Sequence, residues 1–278
     1  MTTSFPRLFP VDPPGKLHAV ESDHALTLLI PAYNEEKRLP LTLTAAKLFL
    51  DDWGIDYRVV VIDNGSKDKT GELTSDMGPR FSTITQPVSG KGAAVRKGML
   101  LATGSVIAFT DADLPYELQA LRQGFERVRS GQSDVVFGSR SVEGAAVAVK
   151  RRLLRTMASY VFQSIVKRLI SKTVVDTQCG LKIFSRAAAN AVFSRATIDG
   201  FAFDAEVVFL TRRLHLTQSC VPVTLINEDG STLSLSRHAL PMLRDVMKVR
   251  WQEWNGTYQW DSAVPSVPET VESPRRAA

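Results

Sequence analysis

Asp111 and Asp113 have the most chemistry to offer: two carboxylates separated by the small Ala112, directly after the apolar run 105–110. Oxygen donors in that spacing suit a hard divalent cation, Mg²⁺ or Mn²⁺, that also bridges phosphate oxygens. The competing reading makes Asp113 the cap of a helix opening near Pro115. Other acidic groups follow other apolar runs: Asp63 in Asp63-Asn64-Gly65-Ser66, and Glu35 and Glu36 just beyond Pro31. Asp63 can accept from a uracil imide or from the amino groups of a guanine, and the same four residues are good turn chemistry. Gly90-Lys91-Gly92, with Arg96 and Lys97 behind, places cations and backbone N–H groups at a helix start, where anions are stabilised. The spacing is not that of a P-loop, and taken alone a plain helix entrance explains it better.

Something must hold these side chains at one edge. Residues 25–31, 57–63, 105–110 and 134–138 read as buried strands, with 81–86 a weaker one. Helices are expected between them: one capped by Asn34 and running to Leu50, one from Ser66 to Met77, one from Gly92 to Ala102 stopped by Gly104, and one from Pro115 to Ser130. This alternation predicts an α/β fold, a mainly parallel sheet sandwiched by helices, which binds ligands at the carboxyl ends of its strands. The second half holds a long amphipathic stretch at 150–172, the compact segment Asp176-Thr177-Gln178-Cys179-Gly180-Leu181-Lys182-Ile183-Phe184, a strand over 220–226 and a helix from Ser236 to Trp254.

Composition narrows the class. The chain has 278 residues, 44% hydrophobic and 23% charged, which excludes a disordered or collagen-like protein. Cys179 and Cys220 form neither a zinc spacing nor a disulfide framework, and a reducing cytoplasm is expected. No apolar run approaches the ~20 residues of a membrane-spanning helix. Residues 1–24, with Pro6, Pro10, Pro13 and Pro14, read as a flexible arm, 25–260 as one domain, and 261–278 as a disordered tail. The net charge is +5, yet 144–175 alone holds seven cations and no acid, leaving −2 for the remainder.

Ile30-Pro31-Ala32-Tyr33-Asn34-Glu35-Glu36, Val61-Ile62-Asp63-Asn64-Gly65-Ser66-Lys67-Asp68, Gly90-Lys91-Gly92-Ala93-Ala94-Val95-Arg96 and Phe109-Thr110-Asp111-Ala112-Asp113, in this order, resemble the nucleotide-sugar half of family 2 glycosyltransferases of the GT-A fold. Asn64 stands where that family commonly has a second Asp. Gly138-Ser139-Arg140, the segment from Asp176 to Phe184, Phe203-Asp204-Ala205-Glu206 and Val221-Pro222-Val223 before Glu228-Asp229-Gly230-Ser231 resemble one branch, the polyprenyl-phosphate sugar transferases, and within it the dolichyl-phosphate β-glucosyltransferases. The eukaryotic members carry an N-terminal membrane anchor where this sequence has its proline-rich arm.

The resemblance implies a single GT-A catalytic domain with C-terminal amphipathic helices. It implies inverting transfer of a sugar, glucose in that branch, from a nucleotide donor, UDP-linked, to a polyprenyl or dolichyl phosphate. Pro31, Tyr33, Glu35, Asp63, Lys91, Asp111, Ala112 and Asp113 would bind the donor, and Asp111 and Asp113 the metal. Arg140, Gln178, Lys182, Asp204 and Glu206 would line the sugar and acceptor side, with Asp113, Arg140 and Asp204 closest to catalysis. A lipid phosphate is already anionic at neutral pH and attacks without a strong base. A soluble hydroxyl acceptor, the alternative, needs one, with Asp204 first and Glu206 in reserve; the same residues also read simply as a helix N-terminus. A nucleotide-sugar-binding module without catalysis is the remaining alternative. With a lipid acceptor, the basic stretch 150–172 is expected to lie on the cytoplasmic face of a membrane. Leu240, Leu243, Met247, Trp251 and Trp254 offer a second such stripe, with core packing an equal reading. Nucleic-acid binding is not expected, because the cations interleave with aliphatic rather than stacking residues. The sequence carries no signal for oligomeric state.

Overall fold

The apolar runs become strands covered on both faces. β1 (Leu26–Ala32), β2 (Tyr57–Asp63), β3 (Phe81–Thr85), β4 (Val106–Phe109), β5 (Val135–Ser139) and β8 (Gln218–Pro222) run parallel, and β7 (Lys182–Ser185) inserts antiparallel between β4 and β5. The seven strands lie in the order β3-β2-β1-β4-β7-β5-β8, and β6 (Ala146–Val147) pairs with β9 (Thr224–Leu225) in a small second sheet. The structure, a computed structural model, describes residues 24–147, 176, 179–226 and 235–258. The basic stretch 150–172, Gln178, Glu228-Asp229-Gly230-Ser231, the arm before residue 24 and the tail after 258 lie outside the described residues.

Strand periodicity divides the core in two. Leu28, Ile30, Val59, Val61, Ala108 and Val136 pack with α1 (Leu39–Trp53) and α3 (Gln119–Arg129). Leu29, Val60, Ile62, Ile107, Phe109 and Phe137 pack against the opposite helices: α2 (Lys91–Leu101), α4 (Arg186–Phe193), α5 (Phe203–Arg213) and α6 (Leu235–Trp254). The mainly parallel, helix-covered sheet predicted from the alternation is therefore observed.

Several boundaries differ from expectation, each for a local reason. Asn34 does not cap α1. It sits at φ 53°, its backbone N–H donates to Ser66 Oγ and its side-chain oxygen accepts from Lys67 N–H, and α1 begins five residues later with Pro40 in its first turn. The helix expected from Ser66 shrinks to a single 3₁₀ turn, Lys69–Glu72, capped by Asp68. Pro115 opens no helix. Residues 115–117 instead pair with the second sheet, Ile226 N–H donating to Pro115 O and Glu117 N–H to Thr224 O, so α3 starts only at Gln119. Asp113 therefore caps nothing. The segment read as compact supplies β7, and the single strand expected over 220–226 is split between β8 and β9.

Candidate functional site

The carboxyl ends of the parallel strands meet at one edge, and topology adds a residue that strand order alone would not. Because β7 runs antiparallel, its first residue rather than its last lies at that edge. Lys182 pairs in register with Phe109 near the end of β4 and with Phe137 in β5. The side chain of Lys182 is fully buried, and its ammonium donates to Asp204 Oδ1 (2.7 Å) and Cys179 O (2.8 Å), 5.2 Å from the centre of the Phe109 ring. The ammonium of Lys182 is thus committed to Asp204, where a position lining the acceptor side was expected.

Asp204 projects from the first turn of α5 without serving as its cap. Burial raises its carboxyl above the usual range, and the opposing pull of Lys182 and Lys91 does not fully offset it. Asp111 behaves oppositely. Burial alone would raise it, but Lys91, at 2.5 Å, with Lys182 and Arg140 further off, holds it below its ordinary value. Asp113 is raised, first by burial and then by Asp111; Arg38, 3.8 Å away, only partly compensates. Arg38 is itself clamped by Glu35 through two hydrogen bonds of 2.5 and 2.7 Å. Ala112 is pinned between the two carboxylates, its carbonyl accepting from Thr42 Oγ1 at 2.6 Å.

Arg140, at the end of β5, grips the buried Asp176 in a fork, Nε to Oδ2 at 2.5 Å and Nη2 to Oδ1 at 2.7 Å. Its two-pronged contact is thus spent on a carboxylate within the chain, and among the described residues only Nη1 makes no hydrogen bond. Burial would raise Asp176, but Arg140 holds it below the usual carboxylate range. Gly180 completes this wall, since a Cβ there would stand 2.1 Å from Asp111 Oδ2. Cys179 is fully buried with its thiol pushed up to about 11 by burial, in keeping with a packed rather than reactive residue.

Asp63 ends β2, and its two oxygens differ. Oδ1 accepts from Ser66 N–H in the expected turn, whereas Oδ2 accepts no hydrogen bond among the described residues and faces Gly71, whose Cβ would lie 3.3 Å away. The neighbouring Asn64 Oδ1 is buried without a partner among the described residues. Pro31 lies within β1 beside Ile62, and Tyr33 is half exposed at the same edge.

One residue departs from expectation. Glu206 is no reserve base: it is fully buried and accepts from Thr197 N–H and Oγ1, Ile198 N–H and the Tyr258 hydroxyl, at 2.8 to 3.0 Å. Those bonds fasten the loop before α5, and an i,i+2 pair on a helix cannot aim both carboxylates at one site. The start of α2 is no open anion site either. Gly92 and Ala93 N–H donate to Asp199 O, Arg96 pairs with Asp199, and Lys97 reaches Thr85 O. The plain helix entrance is correct there, and Lys91 alone is contributed to the site.

The structure therefore brings Lys91, Asp111, Asp113, Arg140, Lys182 and Asp204 into one cluster, with Glu35 joined through Arg38 and Asp63 at the adjacent strand end. Sequence reasoning passed over Arg38 and Asp176 as site residues. The i,i+3 spacing of Glu35 and Arg38 was a signal for the first; no local signal marks Asp176. Among the described residues, six carboxylates (Glu35, Asp63, Asp111, Asp113, Asp176, Asp204) face four cations (Arg38, Lys91, Arg140, Lys182), a difference of two negative charges. All-oxygen donors with a charge deficit of two fit Mg²⁺ or Mn²⁺. Among the described residues no three His, Cys, Asp or Glu side chains form a metal cage. Asp111 and Asp113 could hold such an ion together with substrate phosphates, in the manner of Mg²⁺ bound by one or two carboxylates.

A parallel sheet with acidic strand ends, a carboxylate pair after β4 and cations from the second half is the architecture of a GT-A glycosyltransferase. The chain belongs to glycosyl transferase family 2, whose sequence profile matches residues 27–193. It is 33% identical over 250 residues to a dolichyl-phosphate beta-glucosyltransferase of Dictyostelium discoideum, covering 84% of this chain and 76% of that one. It is 30% identical over 252 residues to the Homo sapiens protein of the same name, covering 84% and 77%. Among solved structures, the glucosyl-3-phosphoglycerate synthase of Mycobacterium tuberculosis in complex with Mn²⁺, UDP-glucose and phosphoglyceric acid superposes with a TM-score of 0.61 at 16% identity, over 82% of this chain and 78% of that one, which shows the shared fold. No described helix is long and apolar enough to cross a membrane.

Proposed function

We propose that this enzyme transfers glucose from UDP-glucose to a polyprenyl phosphate of the dolichyl phosphate type, with inversion at the sugar carbon. The carrying observation is that the cluster's residues come from both halves of the chain, and the relatives of that activity match it along most of its length. Asp63 Oδ2 accepts the uracil imide N–H. Asp111 and Asp113 hold Mg²⁺ or Mn²⁺, which when bound neutralises charge developing on the departing diphosphate; the Mn²⁺ and UDP-glucose of the M. tuberculosis enzyme support this use of the fold. Lys91 keeps Asp111 ionised and stands beside it as a second positive charge for the leaving group. On the acceptor side, the Arg140 guanidinium orients an anion, and Asp204, held by Lys182, is a fixed wall rather than an essential base. A phosphate acceptor needs no deprotonation, and direct attack opposite the leaving group gives inversion.

The test is to incubate the protein and Mn²⁺ with a panel of nucleotide sugars, with and without dolichyl phosphate, and weigh the products. A glucosylated lipid phosphate made from UDP-glucose is expected, and Asp113→Ala should lower its rate about 10²- to 10³-fold. Transfer to soluble hydroxyl compounds with none to lipid phosphate would overturn the acceptor.

A further inference from the structure

Among the described residues, one face of α6 fastens it to the core. Val246 and Val249 are fully buried in the core, and Gln252 is hydrogen-bonded to Thr197 Oγ1 (2.9 Å) and Tyr258 (3.1 Å). On the opposite face Met247, Trp251 and Trp254 recur at i, i+4 and i+7 and are 60%, 57% and 85% exposed. Core packing accounts for the helix but not for this stripe. Burying two indoles and a thioether is favourable by about 25 cal/mol per Å² of apolar surface, so leaving them in water forfeits a gain that a partner would recover.

The charges around the stripe identify the partner. Arg244 and Lys248, both exposed, flank it on one side and Arg250 on the other. Asp245 lies against the loop at Gly200, and Glu253 pairs with Arg250 and Arg213, so the cations beside the stripe that no acid of this helix pairs with are Arg244 and Lys248, among the described residues. Indoles prefer the boundary between hydrocarbon and headgroups, and exposed cations beside them favour anionic lipid. We infer that the Met247–Trp251–Trp254 face of α6 seats the enzyme on an anionic bilayer surface. Asp245, on the packed side of α6, lies against the loop that leads into α5, the helix that carries Asp204. The inference rests for its purpose, though not for its geometry, on the reading of the acceptor as a lipid phosphate.

The experiment uses the full chain and sedimentation with vesicles of equal parts phosphatidylcholine and phosphatidylglycerol. Wild type should sediment, and Trp251→Ala/Trp254→Ala, with an unchanged melting temperature, should bind at least about tenfold more weakly. Arg244→Glu/Lys248→Glu should erase the preference over pure phosphatidylcholine vesicles. The tryptophan variant should also lose transfer to dolichyl phosphate in vesicles while keeping transfer to a short, water-soluble prenyl phosphate. Vesicle binding by the tryptophan variant equal to wild type would overturn the inference, as would a fall in its oligomeric mass with binding intact, which would assign the face to a second copy. Tryptophan-dependent vesicle binding without transfer to either prenyl phosphate would leave the surface standing and overturn the acceptor instead.

Discussion

The pair Lys182–Asp204 shows how one side chain acquires a role from another. Lys182 is out of reach of water, and among the described residues its ammonium is hydrogen-bonded to Asp204 and a carbonyl oxygen. Removing one member of such a pair leaves the other as an uncompensated buried charge. Lys182→Met should therefore cost about 3–5 kcal/mol of unfolding free energy, and Lys182→Met/Asp204→Asn, which removes both charges, should recover most of it in urea titrations. The same double variant tests the acceptor chemistry. With a phosphate acceptor it should keep substantial turnover, whereas a hydroxyl acceptor with Asp204 as base would lose orders of magnitude. The Arg140–Asp176 fork makes a statement about pH. Asp176 is held below its unfolded value of about 3.9, so its stabilisation is fully present above that value and is lost as pH falls through the lower, folded one. The stability gap between wild type and Asp176→Asn, followed by denaturant unfolding from neutral pH downwards, should stay constant to about pH 5 and close below pH 4.

At the scale of elements, the site depends on close approaches that a side chain would block. The segment entering β7 passes so near the end of β4 that Gly180→Ala would drive a methyl group into Asp111 Oδ2 at 2.1 Å. This variant should keep the circular dichroism of wild type yet lose most transfer activity, because the carboxylate must move and its contact with Lys91 with it. The loop before α5 shows the opposite balance. Glu206 fastens Thr197, Ile198 and Tyr258 and faces away from the strand ends. Glu206→Gln should lower the melting temperature by several degrees, consistent with about 1–3 kcal/mol for charge-assisted hydrogen bonds, while kcat per folded molecule stays near wild type. A variant that melts normally but does not turn over would return Glu206 to the chemistry.

For the whole molecule, the six carboxylates and four cations that the described residues gather at the strand ends mean that the fold concentrates negative charge that the unfolded chain disperses. A divalent cation bound only by the folded state should raise its stability by about 2.7 kcal/mol at a hundredfold excess over Kd. Melting curves should therefore shift upwards and saturate with Mn²⁺ or Mg²⁺, and the shift should vanish in Asp113→Ala. Much of this was legible in the residues: β-branched runs of strand length, a carboxylate or turn after each, and an apolar periodicity that changes from two to three or four. Local chemistry determines those features, and β1, β2, β4, β5, α2 and the carboxylates at the sheet edge followed from them. Other features were decided only by tertiary contacts. Whether Glu206 faces the site or a loop, whether Lys182 meets the ligand or Asp204, and whether Met247, Trp251 and Trp254 pack inside or face outwards all depend on what lies across from them. The deciding step was the antiparallel insertion of β7, which reverses one strand and so sets its first residue, rather than its last, among the carboxylates. Sequence by itself determined which groups could do the chemistry; the fold decided which of them meet, because burial and charge pairing act between residues that the chain places far apart.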